Sequence, residues 1–442
     1  MRFRMVWPVR AAVLALGVFA VLTLTYGQEQ QSAPGVDASR LKVVQPGVGA
    51  SSSDRAPTPA APAENATRDF SKLSPLHQQI WLSAQRGAEW LYRANGPDGR
   101  FAYGVAPALG ATLEGDHYMH QVGAAAALAQ MARFSGDQRY AARAAQAIVT
   151  LLADTAQDPR DTRTRVTVFP SASVNRLAAA GLLVLAIHEL PEPDKDLLAK
   201  AEQLCNFIHG QQQADGSLSL GNSTPTDSPD NEAVNYYPGE ALYGLIHSQQ
   251  RQPSGWKIDV VRNALAYYKA WWRKHPSMAF VPWQTAAYTE AFLLTKEQAF
   301  ADFVFEMNDW IVRLQYQSFD DPKLVFWSGG FKRWADGKAV ETMPQVSSAC
   351  YAEGLAEACR VARSLGELPR HQSYAAALER CLPFLITLQY SEANTRHFAD
   401  WYRPTILGGF HASNQDGNLR IDYTQHAVGA MVRYLTHVAR IP

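Results

Sequence analysis

The sequence predicts an all-α protein, an (α/α)6 toroid of about six outer–inner helical hairpins. Three observations carry that prediction. From Leu76 onward apolar residues recur at helical spacing almost without a break. The connections alternate short and long, and the helices alternate between small-residue-rich and amphipathic. Short links include Ser135-Gly136-Asp137, Pro191-Glu192-Pro193 and 366–370; long ones run about 94–115, 156–172, 213–234, 316–345 and 391–420. Hairpins stacked this way set every long loop on one face.

The first helix spans about 76–94, with Ile80, Ala84, Ala88, Trp90 and Leu91 along it. The next, about 117–134, is nearly a pure Ala/Leu/Met stripe through Val122, Ala126, Leu128 and Met131. Its neighbour at 138–154 is amphipathic, with Arg139 and Arg143 outside and Ile148, Leu151 and Leu152 inside. Small-residue or apolar helices then start near 173, 235, 283, 346 and 421, and amphipathic ones occupy about 195–212, 257–274, 297–315 and 371–390. Small residues let backbones approach, so the first set lines a closed inner ring and the second forms its outer wall. An open solenoid would show a tighter repeat than this period of roughly 60 residues.

Ahead of the toroid (69–442) stand two other segments. Residues 1–27 have a basic start at Arg2, Arg4 and Arg10, an apolar stretch from Ala11 to Tyr26 and small residues at Thr25 and Gly27. They read as a cleaved signal peptide in preference to an N-terminal anchor. The bulk is then exported, periplasmic or extracellular, and membrane contact comes only through this segment if it stays uncleaved. Residues 28–68, rich in Gln, Ser, Ala, Pro and Gly, read as a disordered linker. With 41 basic and 41 acidic residues and no basic stripe, nucleic acid is excluded as the main partner. Cys205, Cys350, Cys359 and Cys381 sit in apolar helical segments without CxxC spacing, so buried, reduced thiols are expected. With no Cys–His cluster in the sequence, neither a metal nor another cofactor is expected.

Each long loop runs from an outer helix to an inner one, so the inner-helix N-termini converge beneath the long-loop face. Their free N–H groups and partial positive charge favour anionic groups there. The mouths of these helices carry Asp116-His117-Tyr118 and His120; Ser173, Asn175 and Arg176; Tyr236-Tyr237-Pro238-Gly239-Glu240; Trp283-Gln284 with Tyr288 and Glu290; Ser347, Ser348, Tyr351 and Glu353; and Arg420-Ile421-Asp422-Tyr423-Thr424-Gln425-His426. Loops add Trp327 and His411. Aromatic faces stack on pyranose rings and polar groups meet their hydroxyls, so the inventory suits a sugar polymer. Some members have structural explanations: Asp422 with Gln425 fits a capping box, Asp116 an N-cap, Glu240 a first-turn carboxylate, Tyr236 and Tyr237 packing, and His120 a core histidine.

The hairpin count and these helix mouths resemble the α/α-toroid enzymes, chiefly the six-hairpin glycosidase-like superfamily and toroidal polysaccharide lyases. The resemblance implies an active site at the inner-helix N-terminal face. A hydrolase needs two carboxylates, for which Asp422 and Glu240 lead and Asp116 and Glu290 substitute. A lyase would use Tyr423 and His426 as acid and base, with Arg420 or Arg176 on a uronate carboxylate. Tyr236, Tyr237, Trp283, His117, Trp327 and His411 complete the expected substrate contacts. The expected function is thus an exported carbohydrate-active enzyme on an acidic poly- or oligosaccharide; the alternative is a non-catalytic glycan-binding or envelope-assembly protein. Gln213–Leu218 and Gly329-Gly330-Phe331 resemble turn repeats of terpene cyclases, but without an Asp-x-Asp-Asp motif that chemistry ranks lower.

Overall fold

The computed structural model describes residues 72–170, 173–221, 232–317 and 324–440. The expected targeting segment 1–27 and linker 28–68 lie outside the described residues, as do parts of two long loops. Outer helix α1 (Pro75–Ala94) comes first; the inner–outer pairs α2 (Tyr118–Ser135) and α3 (Gln138–Ala153), α4 (Arg176–Glu189) and α5 (Lys195–His209), and α6 (Tyr237–Ser248) and α7 (Gly255–Lys274) follow. Next come α8 (Val281–Thr295) with α9 (Gln298–Arg313), then α10 (Ser348–Leu365) with α11 (Leu368–Thr387). After the four-residue α12 (Arg403–Ile406), the last inner helix α13 (Ile421–Arg433) packs on α1 and completes the sixth hairpin. Inner helices touch in the order α2, α4, α6, α8, α10, α13 and back to α2, which closes the ring.

Local chemistry sets the boundaries. The α2–α3 link is two residues because Gly136 ends α2 in the left-handed conformation and the Asp137 carboxylate caps the Arg139 N–H of α3. Asn175 and Asp194 cap α4 and α5 in the same way. The inner helices pack backbone to backbone where the small residues fall: a Cβ on Gly244 would lie 2.1 Å from the Gly181 carbonyl oxygen of α4. α4 is buried almost all round, whereas α3 and α9 bury one stripe.

Strands occur within the long loops of this otherwise helical fold. β1 (Gly104–Ala106) and β2 (Ala111–Leu113) lie in the first, β3 (Thr155–Asp158) and β4 (Asp161–Thr167) in the second. β5 (Arg333–Ala335) and β6 (Lys338–Val340) precede α10, and β7 (His411–Ser413) and β8 (Asp416–Arg420) precede α13. One sheet has the order β2-β1-β8-β7, so the first and last long loops are hydrogen-bonded across the seam of the ring, with Gly104 opposite Arg420. The segments that resemble terpene-cyclase turns are structural ties. Gln212, Gln315 and Gln389 each lie just beyond an outer helix and donate to a carbonyl of the next one, Val260, Ala377 and Ser83 respectively.

Candidate active site

A cavity of about 430 Å³ opens among the inner-helix N-termini. Of the residues expected there, Glu240, Asp422, Tyr423, His426, Arg420, Tyr236, Tyr237, Trp283 and His117 all line it. Four do not. Asp116 is exposed and pairs with Arg100 at 3.1 Å; it is not the N-cap of α2, a place taken by His117. The Arg176 Nε donates to the Phe169 carbonyl, Trp327 packs on Tyr316, and His411 is buried with Nδ1 2.8 Å from the Ser413 carbonyl. The substitute carboxylate Glu290 lies two turns into α8, bound to Arg360 and Gln250 near the other end of the ring. It belongs to that end, not to the cavity.

Glu240 enters from the first turn of α6, where Pro238 fits because no intrahelical N–H is lost. It is buried, and its Oε2 has no hydrogen-bond partner among the described residues. Burial pushes its carboxyl up to about 8, against a weaker opposing pull from His426. Glu240 is therefore a carboxylic acid at neutral pH, with a proton to donate.

The α13 mouth is built differently. Arg420, the last residue of β8, grips Asp422 with two parallel bonds, Nε to Oδ1 at 2.9 Å and a terminal nitrogen to Oδ2 at 2.8 Å. Asp422 is thus occupied by arginine and makes no capping box. The guanidinium lies over the rings of Tyr103 and Tyr423. His120, expected in the core, instead lines the cavity, its Nδ1 3.7 Å from Asp422 and its ring stacked on His117. Burial pushes His120 down to about 3 and also lowers His117, so both rings are neutral near pH 7.

His426 has the opposite character. Its Nδ1 is 2.7 Å from Glu353, and Glu353 also accepts a hydrogen bond from buried Arg433. Burial alone would lower the His426 pKa, but the Cys350 sulfur and the Glu353 carboxylate outweigh it and hold the ring protonated well above the ordinary histidine value. Cys350 lines the cavity and is only half-buried, whereas Cys205, Cys359 and Cys381 are buried and free as expected. Ligand-type atoms of Cys350, Glu353 and His426 lie within 4.8 Å of one another, so the fold creates a Cys–His cluster that linear spacing does not show. A metal ion is poorly suited to it, because both Glu353 oxygens already serve cationic groups, one of them the permanent charge of Arg433. Cys350 lies three residues before Glu353 on one helix face at an inner-helix mouth, and that spacing is the signal by which the thiol could have been found.

No protein-family model matches this chain, and comparison with curated proteins finds no match. Solved structures do match. An unsaturated glucuronyl hydrolase specific for heparin aligns at 14% identity and TM-score 0.55, over 82% of this chain and 98% of that one. A D-mannose isomerase aligns at 12% and 0.58, over 82% and 100%. The α-1,6-mannanase GH76A of Salegentibacter sp. HEL1_6 aligns at 10% and 0.53, over 80% and 99%. At these identities the likeness is one of fold. The chain is an (α/α)6 toroid.

Proposed function

We propose that this protein is a carbohydrate-active enzyme, a glycoside hydrolase that cleaves an oligosaccharide bound at the inner-helix N-termini. The observation that carries the reading is Glu240, a protonated and unpartnered carboxyl buried in an aromatic-lined cavity. Placed beside a glycosidic oxygen, it is the general acid that hydrolysis requires. Tyr236, Tyr237, Trp283 and Tyr351 offer ring faces and hydroxyls to sugar rings. Similarity of fold to a glucuronyl hydrolase and a mannanase, one solved with α-1,6-mannotriose, supports a sugar ligand.

An acidic sugar is favoured by the converging helix N-termini. Export is favoured by the basic and apolar start of the chain. Lyase chemistry fits less well, because it needs a free base. His426 is held protonated, and burial raises Tyr423 above an ordinary phenol.

The test is a panel of acidic and neutral oligosaccharides, read by new reducing ends and by unsaturated-sugar absorbance. The expected result is new reducing ends without unsaturation, lost in Glu240→Gln while binding persists. Binding without turnover by the wild-type protein would make it a glycan-binding protein.

A further inference from the structure

Beside the carboxyl of Glu240 the cavity holds a second reactive group. Cys350 is the third residue of α10, in the first turn of that helix, where its own N–H donates to the Ser347 carbonyl. A ring nitrogen of His426 stands within 4.8 Å of its sulfur. With Nδ1 on Glu353, Nε2 is the ring nitrogen not engaged by that carboxylate. Arg433 on α13 holds Glu353 from its other oxygen, so base and orienting carboxylate are fixed by a buried cation. Asp422, the other carboxylate of the cavity, has both oxygens bound to Arg420 and is poorly placed to attack.

We propose that Cys350 is the nucleophile of this cavity, activated by His426, with Glu353 as the positioning residue. The proposal rests on the hydrolase reading above. In the attacking state His426 carries the thiol proton. The Cys350 thiolate attacks the anomeric carbon, a C–S bond forms, and the C–O bond to the leaving sugar breaks as Glu240 gives its proton to the departing oxygen. Water then attacks the same carbon and gives a proton to the Glu240 carboxylate. A C–O bond forms, the C–S bond breaks, and sulfur leaves as the thiolate stabilised by the His426 imidazolium. Nothing is oxidised or reduced, and two displacements retain the anomeric configuration.

The first experiment needs no variant. The native protein is alkylated with iodoacetamide between about pH 5 and 9, bracketing the ordinary thiol pKa, and the modified peptide is identified by mass. Cys350 is expected to react at pH 6 within a few-fold of its rate at pH 9. His426→Gln and Glu353→Gln, checked for folding by thermal melting, should lose at least about tenfold of the pH 6 rate. A wild-type rate that falls tenfold per pH unit, as for an ordinary thiol, overturns the proposal. The second experiment compares wild type with Cys350→Ser on the glycan panel. Loss of turnover with binding retained, and a retained anomer in the wild-type product, supports it. Unchanged turnover in Cys350→Ser overturns the nucleophile and leaves the hydrolase reading standing. A reactive Cys350 with no turnover on any glycan overturns the hydrolase reading and the glycosyl step with it.

Discussion

The two ends of the helical ring handle buried charge in opposite ways. At the inner-helix C-termini a second cavity of about 280 Å³ is lined by Glu189, Glu290 and Glu357. Every one of these carboxylates is met. Glu189 accepts from Arg133 and Gln130, Glu290 from Arg360 and Gln250, and Glu357 from Arg360 with Arg433 nearby. Burial opposes their ionisation, yet the surrounding Arg and His charges hold all three below the usual glutamate value. At the N-terminal end Glu240 is equally buried but has no cation in contact among the described residues, and its carboxyl rises instead. Similar residues therefore play opposite parts: a matched network locks the ring, while an unmatched acid keeps a proton for a ligand.

Four measurements test that contrast. The largest effect should come from Glu240→Gln, which keeps the shape of the acid but removes its transferable proton. Turnover should fall about 100- to 10,000-fold, with stability equal to or above wild type in denaturant titration. At the other end, Arg360→Met leaves Glu290 and Glu357 without their shared partner. It should cost about 3–5 kcal/mol, measured by urea unfolding, while the folded fraction keeps its turnover.

A smaller loss, about 1–3 kcal/mol, is expected from Gly104→Ala. Its added Cβ would lie 2.2 Å from the Leu419 carbonyl oxygen and spread β1 from β8 beside Arg420. Weaker ligand binding should accompany that loss, and a variant as stable and active as wild type would remove the seam from the account. The gentlest effect is a slope with pH. Glu240 has a raised folded pKa, so its contribution is full below the unfolded value and fades as pH climbs toward about 8. The slope should approach about 1.4 kcal/mol per pH unit in that window. Glu189, Glu290 and Glu357 behave oppositely, losing their contribution as pH drops below the unfolded glutamate value. Glu240→Gln should therefore abolish the neutral slope and leave the acid one; parallel curves for the two proteins would show that another group titrates.

The ring was legible because its causes are local. Alternation of Ala/Gly-rich and amphipathic helices follows from which side each wall faces, and the short links carry their own caps, as at Gly136-Asp137. The mouths of the inner helices followed from chain polarity alone, which is why Glu240, Asp422 and His426 could be named. What stayed hidden depends on long-range contact. The β1–β8 pairing joins short strands some 300 residues apart with no strong pattern of their own. Arg420 saturates Asp422, Arg100 draws Asp116 away, and Arg360 claims Glu290 at the wrong end; none of these choices is written in spacing. The Cys350–His426 approach spans α10 and α13, so an apolar local context concealed a cavity thiol.

The sixth hairpin differs from the other five in having no covalent link. α13 and α1 pack as an inner–outer pair, and His77 in the first turn of α1 lies 3.2 Å from the Tyr434 hydroxyl just beyond α13. Only the choice of which short link to leave open gives this toroid a first and a last helix. A circular permutant joining the residues after Val438 to those before Pro75, and opened between α10 and α11 at Gly366, would keep every helix-mouth loop uncut. The cavity is thus a property of the closed ring of inner helices.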